Sequence, residues 1–278
     1  MFASKRVDSS SDPEEYWQNR LTANYSLDGT GFQTLGQQYN KWMYRIRKVI
    51  VKRVIKGSIS ELNARNVFDI GSGTGFYIDM WKGLGVTRVS GSDITDVAVV
   101  KLRQNYPTYE FFKLDIGQDV LPDHLSARRF DIISAFDVLF HITDDARYRN
   151  AILNIYRLLN EGGIFLFSEN FLHHDALRSQ HQVSRPLFSI ERILQGSGFK
   201  ILDRIPMFVI MNAPVDTNSR ILQSTWKFIR ATAKKGKFAS NATGCMLYPL
   251  ELFLTRIAKE GPSTELMICK KLPEHSRV

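Results

Sequence analysis

The stretch "VFDIGSGTGF", residues 67–76, decides how the rest of this 278-residue chain is read. Val67 to Ile70 is a short apolar run with one acid in it, and three glycines follow at 71, 73 and 75. Such a run followed by glycines is a strand turning abruptly into a helix, because only glycine lets the backbone turn tightly and approach a ligand without Cβ clashes. Two ligand classes compete for the loop. A dinucleotide loop wants G-x-G-x-x-G with pyrophosphate on the helix N-terminus. Gly71 and Gly73 fit that spacing, but the third glycine is Gly75, and Phe76 stands at the dinucleotide position. Asp69 lies two residues before the first glycine, where it would repel a pyrophosphate and suit a cationic ligand group.

Working outward, strand-like and helix-like patterns alternate. "NVFDI" (66–70), "RVSGSD" (88–93), "YEFFKL" (109–114), "FDIISA" (130–135) and "IFLFSE" (164–169) read as short buried strands. Helical patterns over 75–83, 95–105 and 143–160 separate them, the last with Thr143 as N-cap and Gly162-Gly163 as the stop. This rhythm implies parallel pairing through right-handed crossovers. A helix at 188–196, a sixth strand "FKILDRI" (199–205), a helical insertion over about 212–260 and a seventh strand "TELMICKK" (264–271) complete the pattern, the last entering antiparallel after "EGPS". The expected fold is α/β, a doubly wound seven-stranded sheet, mostly parallel with an antiparallel last strand. Residues 1–60 form an N-terminal extension and helical cap, and 61–278 the sheet domain. Within the cap, the polar segment 1–15 reads as mobile, 16–40 as loop-rich, and 40–56 as an amphipathic helix.

Bulk properties exclude several classes. No apolar run approaches the roughly 20 residues of a spanning helix, and the opening residues lack a secretory apolar segment. Two cysteines, Cys245 and Cys269, have neither disulfide-framework nor metal spacing, so a reduced cytoplasmic setting is expected. The net charge of +9 is concentrated in 41–57 and 220–237. Such an excess suits nucleic acid, anionic lipid, an anionic substrate or simply a solvated surface.

The loop and its downstream acids carry a resemblance. Asp93 closes the second strand, Asp115 follows the third in "FFKLDIG", "FDIISAFDVLFHI" runs through the fourth, and "LLNEGGIFLFSE" leads into the fifth. In this order they resemble the class I, Rossmann-like S-adenosylmethionine (SAM)-dependent methyltransferases over residues 66–170. The resemblance implies SAM as cofactor. Asp69, Gly71, Ser72, Gly73 and Gly75 would form its first loop, with Asp93 and Ile94 at the ribose. Asp115 and Ile116 would lie at the adenine, and Phe136 and Asp137 beside the methionine part. The N-terminal segment resembles that of bacterial methyltransferases of polysaccharide and natural-product pathways.

A hydroxyl acceptor benefits from a general base or a metal. "FDVLFHI" (136–142) sets His141 four residues after Asp137, and "SENFLHHD" (168–175) gathers Glu169, His173 and His174. These four, His141, Glu169, His173 and His174, are the catalytic candidates, and no spacing in them fixes a metal. The motif typical of nucleobase-amine methylation is absent, "AFDV" standing in its place. The expected reaction is methyl transfer to a hydroxyl of a small molecule or saccharide. RNA or amine N-methylation, a SAM-binding subunit without catalysis and, more distantly, a nicotinamide oxidoreductase stay open. In 220–238, Leu222, Trp226, Ile229 and Ala233 share a helical face among basic residues. That helix packs as a lid or homodimer element, or touches a membrane surface.

Overall fold

A computed structural model describes residues 12–273. Its centre is a seven-stranded sheet whose strands are β1 (Asn66–Ile70), β2 (Arg88–Asp93), β3 (Glu110–Lys113), β4 (Phe130–Phe136), β5 (Leu159–Glu169), β6 (Phe199–Pro206) and β7 (Glu265–Lys271). The spatial order is β3-β2-β1-β4-β5-β7-β6, with only β7 antiparallel to its neighbours. The sequence order reverses direction between β1 and β4, so the crevice of this open sheet falls at their carboxyl ends.

Helices cover both faces. On one side lie α2 (Gly36–Ser58), α3 (Phe76–Lys82) and α4 (Asp96–Asn105), sharing one core with Val67, Val89, Phe111, Ile132 and Leu166. On the other lie α5 (Asp145–Leu158) and α6 (Leu187–Gly196), packed on Phe68, Ile133, Phe165 and Phe167. The two sets alternate along each strand, as the two-residue period of a pleated strand demands. Helix α2 enters the first core through Met43, Ile46, Ile50 and Val54, each fully buried aliphatic contributing about 1.5–3 kcal/mol.

The N-terminal segment begins with α1 (Pro13–Ala23), capped by the Asp12 carboxylate, which accepts the Glu14 N–H. Residues 1–11 of the expected mobile stretch lie outside the described residues, and 13–15 belong to this helix. Two other expectations shift. Helix α5 is capped by Asp144, not Thr143, because the Asp144 carboxylate receives the Arg147 N–H. It also ends at Leu158, before the two glycines, since Leu159 already pairs with Phe130 at the start of β5.

Between β6 and β7 the chain forms a helical hairpin, α7 (Arg220–Ala233) and α8 (Lys237–Ile257). The expected stripe of α7 packs inward: Trp226, Ile229 and Ala233 are buried, with Leu222 half-buried. Helix α8 lies along α2, and the sole acid within 220–259, Glu251, turns inward. Its carboxylate accepts the backbone N–H groups of Val209, Ile210 and Met211 at 2.5, 3.0 and 3.2 Å. No helix among the described residues is long and apolar enough to cross a membrane.

Candidate functional site

The crevice at the ends of β1, β2 and β4 is a deep pocket, and the loop that opened the sequence reading forms its floor. Gly71, Gly73 and Gly75 have φ of +69°, +50° and +87°, a region that L side chains rarely adopt. A Cβ on Gly71 would stand 2.3 Å from Val138 Cγ2, and one on Gly73 would press on Thr30 at 3.2 Å. The loop is therefore a cradle that only glycine can line. Beneath it, Asp69 is buried: Trp81 Nε1 donates to Ser134 Oγ at 3.2 Å, and Ser134 Oγ donates to Asp69 Oδ1 at 2.6 Å. Asp69 Oδ2 has no partner, and burial pushes the carboxyl up to about 7.

Asp93 lines the pocket at the end of β2 and is held on both oxygens. Oδ2 accepts the Gly73 N–H at 2.9 Å, and Oδ1 accepts the N–H and hydroxyl of Thr95. Oδ1 thus accepts twice, while Oδ2 keeps a second lone pair free to receive a ligand hydroxyl. Ile94, Leu114 and Ile116 supply flat apolar surface, and Asp115 lies beside them with Oδ1 on the Gly117 N–H and Oδ2 paired to Arg147.

On the β4 side, Phe136 packs against Tyr77 at 4.3 Å between ring centroids, and the buried Tyr77 hydroxyl has no partner. Asp137 is the one pocket residue other than glycine with positive φ, +59°. Ser168 Oγ receives its N–H at 2.8 Å and donates to Oδ1 at 2.9 Å, while Arg47 Nε donates to Oδ2 at 2.8 Å. Strain of this kind costs about 1–3 kcal/mol and is held only where surrounding contacts enforce it. Arg47 comes from α2, and sequence reasoning missed it. The available signal was a cation on the apolar stripe of that helix, at the spacing of Met43 and Ile50.

Helix α1 roofs the pocket with Pro13, Trp17 and Leu21. Trp17 meets His141 edge-on at 4.8 Å, and Tyr16 stacks on His181 at 3.8 Å. Arg20 pins the roof by donating to the carbonyls of Gly29 and Gly31, both at 2.6 Å. His141 Nδ1 lies 2.8 Å from the His181 carbonyl oxygen. A carbonyl can only accept, so Nδ1 carries the proton and Nε2 is the lone-pair nitrogen. Desolvation lowers the imidazole to about 4, which keeps it neutral near pH 7.

Of the residues expected to bind cofactor, Gly71, Ser72, Gly73, Asp93, Ile94, Asp115, Ile116, Phe136 and Asp137 line this pocket, as does His141. Asp69 and Gly75 support the loop from behind. The remaining catalytic candidates stand elsewhere. Glu169 shares strand parity with Phe165 and Phe167, so its side chain enters the α5–α6 core beside Tyr148 and Arg185. Burial raises it to about 8. His173 and His174 face the start of the insertion: Asp216 accepts the His173 backbone N–H at 2.9 Å and contacts its Nδ1 at 2.6 Å, and His174 Nε2 lies 3.2 Å from the Val215 carbonyl. They fasten the loop after β5 to the insertion. No group of three or more His, Cys, Asp or Glu side chains among the described residues is arranged to hold a metal.

Residues 67–163 match the family described as "Methyltransferase domain". Solved structures share the fold at low identity. The N-methyltransferase NodS from Bradyrhizobium japonicum WM9, in complex with S-adenosyl-L-homocysteine, aligns with a TM-score of 0.54 and 14% identity, covering 94% of this chain and 99% of that one. Magnesium protoporphyrin IX methyltransferase from Synechocystis PCC 6803, with bound SAM, aligns at 0.53 and 15%, covering 95% and 99%. The structure "StiE O-MT residues 961-1257" aligns at 0.54 and 16%, covering 90% and 83%. No curated protein matches the chain. Residues 67–163 thus match a methyltransferase domain, and the sheet order and glycine cradle are those of an α/β, Rossmann-like methyltransferase fold, for which SAM is the cofactor.

Proposed function

We propose that the chain transfers a methyl group from SAM to a hydroxyl of a small molecule or saccharide, with His141 as the general base. The observation that carries this reading is the His141 tautomer: a neutral ring in the pocket wall, its Nδ1–H committed to the His181 carbonyl and its Nε2 left as an acceptor.

The residues present fit the cofactor. Asp93 Oδ2 offers an acceptor for a ribose hydroxyl, Ile94, Leu114 and Ile116 offer an apolar slot for a purine, and the glycines give the loop a path that a Cβ would push against Val138 and Thr30. The unpartnered Asp69 Oδ2 beneath the loop leaves an acceptor for the ammonium end of the methionine part. SAM, when bound, supplies an electrophilic methyl on a positively charged sulfur.

The chain's own work is alignment, exclusion of water and removal of one proton. Trp17, Leu21 and Phe136 exclude water from the reacting region. His141 Nε2 takes the hydroxyl proton as the acceptor oxygen forms its bond to the methyl carbon, and the resulting imidazolium releases that proton to solvent after transfer. Two features bear on the acceptor. Asp137 is paired with Arg47 and Asp115 with Arg147, so neither is a free anion for an ammonium group. The α1 roof favours a small acceptor over a folded nucleic acid.

His141→Ala tests the assignment. Methyl transfer should fall about 10²–10⁴-fold, while SAM affinity by calorimetry stays within a few-fold of wild type. Unchanged transfer would remove His141 as the base.

A further inference from the structure

Helix α8 shows apolar side chains to solvent as well as to the core. Its inner side carries Ser240, Gly244, Glu251 and Thr255 together with Leu247, Tyr248 and Leu252, which pack against the core. The side it shows to solvent carries Met246, Leu250, Phe253 and Ile257, at steps of four, three and four residues along one stripe. Phe238 at its first turn is 89% exposed and Met246 is 77% exposed. On α7, Ile221 and Phe228 stand seven residues apart and are also exposed. A surface helix ordinarily turns a polar face to solvent, and a contiguous apolar patch of this kind marks a surface that something covers.

The inner face is fully packed and its polar groups are used, so the exposed stripe is not the core side of an undocked helix. Ser240 Oγ accepts the Tyr39 N–H at 3.0 Å and donates to the Leu35 carbonyl. Gly244 lets Trp42 lie against the helix, and Trp42 Nε1 donates to Asn241 Oδ1 at 2.9 Å. Glu251 holds the 209–211 backbone. The α8 stripe is thus a fixed outer face.

Charge names the occupant. Residues 220–259 hold eight Lys and Arg and one acid, Glu251, which is turned inward. Lys234, Lys235 and Lys237 surround Phe238 at the hairpin turn, and Arg256 and Lys259 stand at the far end of the stripe. Along the neighbouring α2 the exposed positions include Lys41, Arg45, Lys48 and Lys56. We propose that this α7–α8 face, edged by α2, docks the protein on an anionic lipid surface, with the stripe inserted among acyl chains and the cations at the headgroups. Interfacial helices combine these two features, apolar insertion and attraction to anionic lipid. Long Lys and Arg side chains beside an apolar strip reach outward to the headgroup level. A second copy of this chain suits the face less, because two-fold pairing would set its cations against their own counterparts.

The test is flotation of the full chain with vesicles of phosphatidylcholine plus phosphatidylserine, and with phosphatidylcholine alone, at low and high salt. Two variants accompany it, Phe238→Ser/Met246→Ser/Phe253→Ser and Lys234→Gln/Lys235→Gln/Lys237→Gln, whose side chains are exposed and not among the pocket lining. SAM-induced thermal stabilisation, unchanged in both, confirms that they fold. The expected result is binding to the anionic vesicles, weakened by salt, lost in the first variant and weakened in the second by about fivefold per lysine. Absence of flotation at low salt, or full retention by either variant, overturns the proposal. A wild-type dimer in light scattering that the first variant converts to monomer also overturns it, assigning the face to a second copy.

Discussion

Arg47 and Asp137, ninety residues apart in sequence, are joined by a 2.8 Å bond that ties α2 to the end of β4. The pair holds Asp137 in its positive-φ conformation from one side while Ser168 holds it from the other. The N-terminal helix is thereby part of the pocket wall.

Breaking this pair should be felt in stability and in binding. Arg47→Met leaves a part-buried carboxylate without its cation, a loss of about 3 kcal/mol in the buried limit, and should lower the melting temperature and SAM affinity together. A double-mutant cycle with Asp137→Asn should return a coupling of about 1–3 kcal/mol. Additive effects would mean that the two side chains act independently.

Gly71→Ala tests the cradle. The new Cβ would meet Val138 at 2.3 Å in a backbone conformation that alanine resists. Calorimetry should show SAM affinity reduced by at least about tenfold, the equivalent of 1.4 kcal/mol, which lies within the 1–3 kcal/mol range of such strain. Affinity equal to wild type would place the cofactor elsewhere.

The pH dependence follows from His141. Its folded value of about 4 lies below the ordinary 6.5, so the unfolded chain takes up the proton first. Its contribution to stability is complete above about 6.5 and declines as pH falls toward 4. The base is also unprotonated throughout the neutral range. Transfer rates at saturating SAM should therefore show no inflection from His141 between pH 8 and 6, and should decline only on approach to pH 4.

Glu169 gives the opposite sign. Its folded value of about 8 exceeds the ordinary 4.5, so the folded state holds the proton and stability falls as pH rises through 8. Glu169→Gln keeps the shape of the neutral acid and cannot ionise. Thermal melts at alkaline pH should show the variant more stable than wild type, by about 1–3 kcal/mol, with the difference vanishing below pH 4.5. Abolished methyl transfer with intact SAM binding would return Glu169 to the list of catalytic candidates.

The sequence showed its sheet where local pattern governs. β1 and β2 occupy the expected 66–70 and 88–93 because buried parallel strands flanked by glycine and polar residues have few alternatives. The pocket floor and walls were legible for the same reason, since each acid follows its own strand end. Roles set by long-range packing were not. Arg47 reaches Asp137 only once α2 has docked, and its charge sat unnoticed among the other cations of that helix. Glu169 closes the strand expected at 164–169, yet its place on the ligand side failed because strand parity with Phe165 and Phe167 turns its side chain into the core. In the insertion, the stripe read on α7 faces inward, while the outward apolar stripe belongs to α8, which carries apolar residues on both sides.

The most direct test is the identity of the atom that receives the methyl group. The 278-residue chain is incubated with methyl-labelled SAM and a panel of hydroxyl- and amine-bearing small molecules and saccharides, and labelled products are identified by mass and nuclear magnetic resonance. The account predicts stoichiometric release of S-adenosylhomocysteine with the label on an oxygen, and its loss in His141→Ala. Label on nitrogen, or tight SAM binding with no S-adenosylhomocysteine released across the panel, would contradict it.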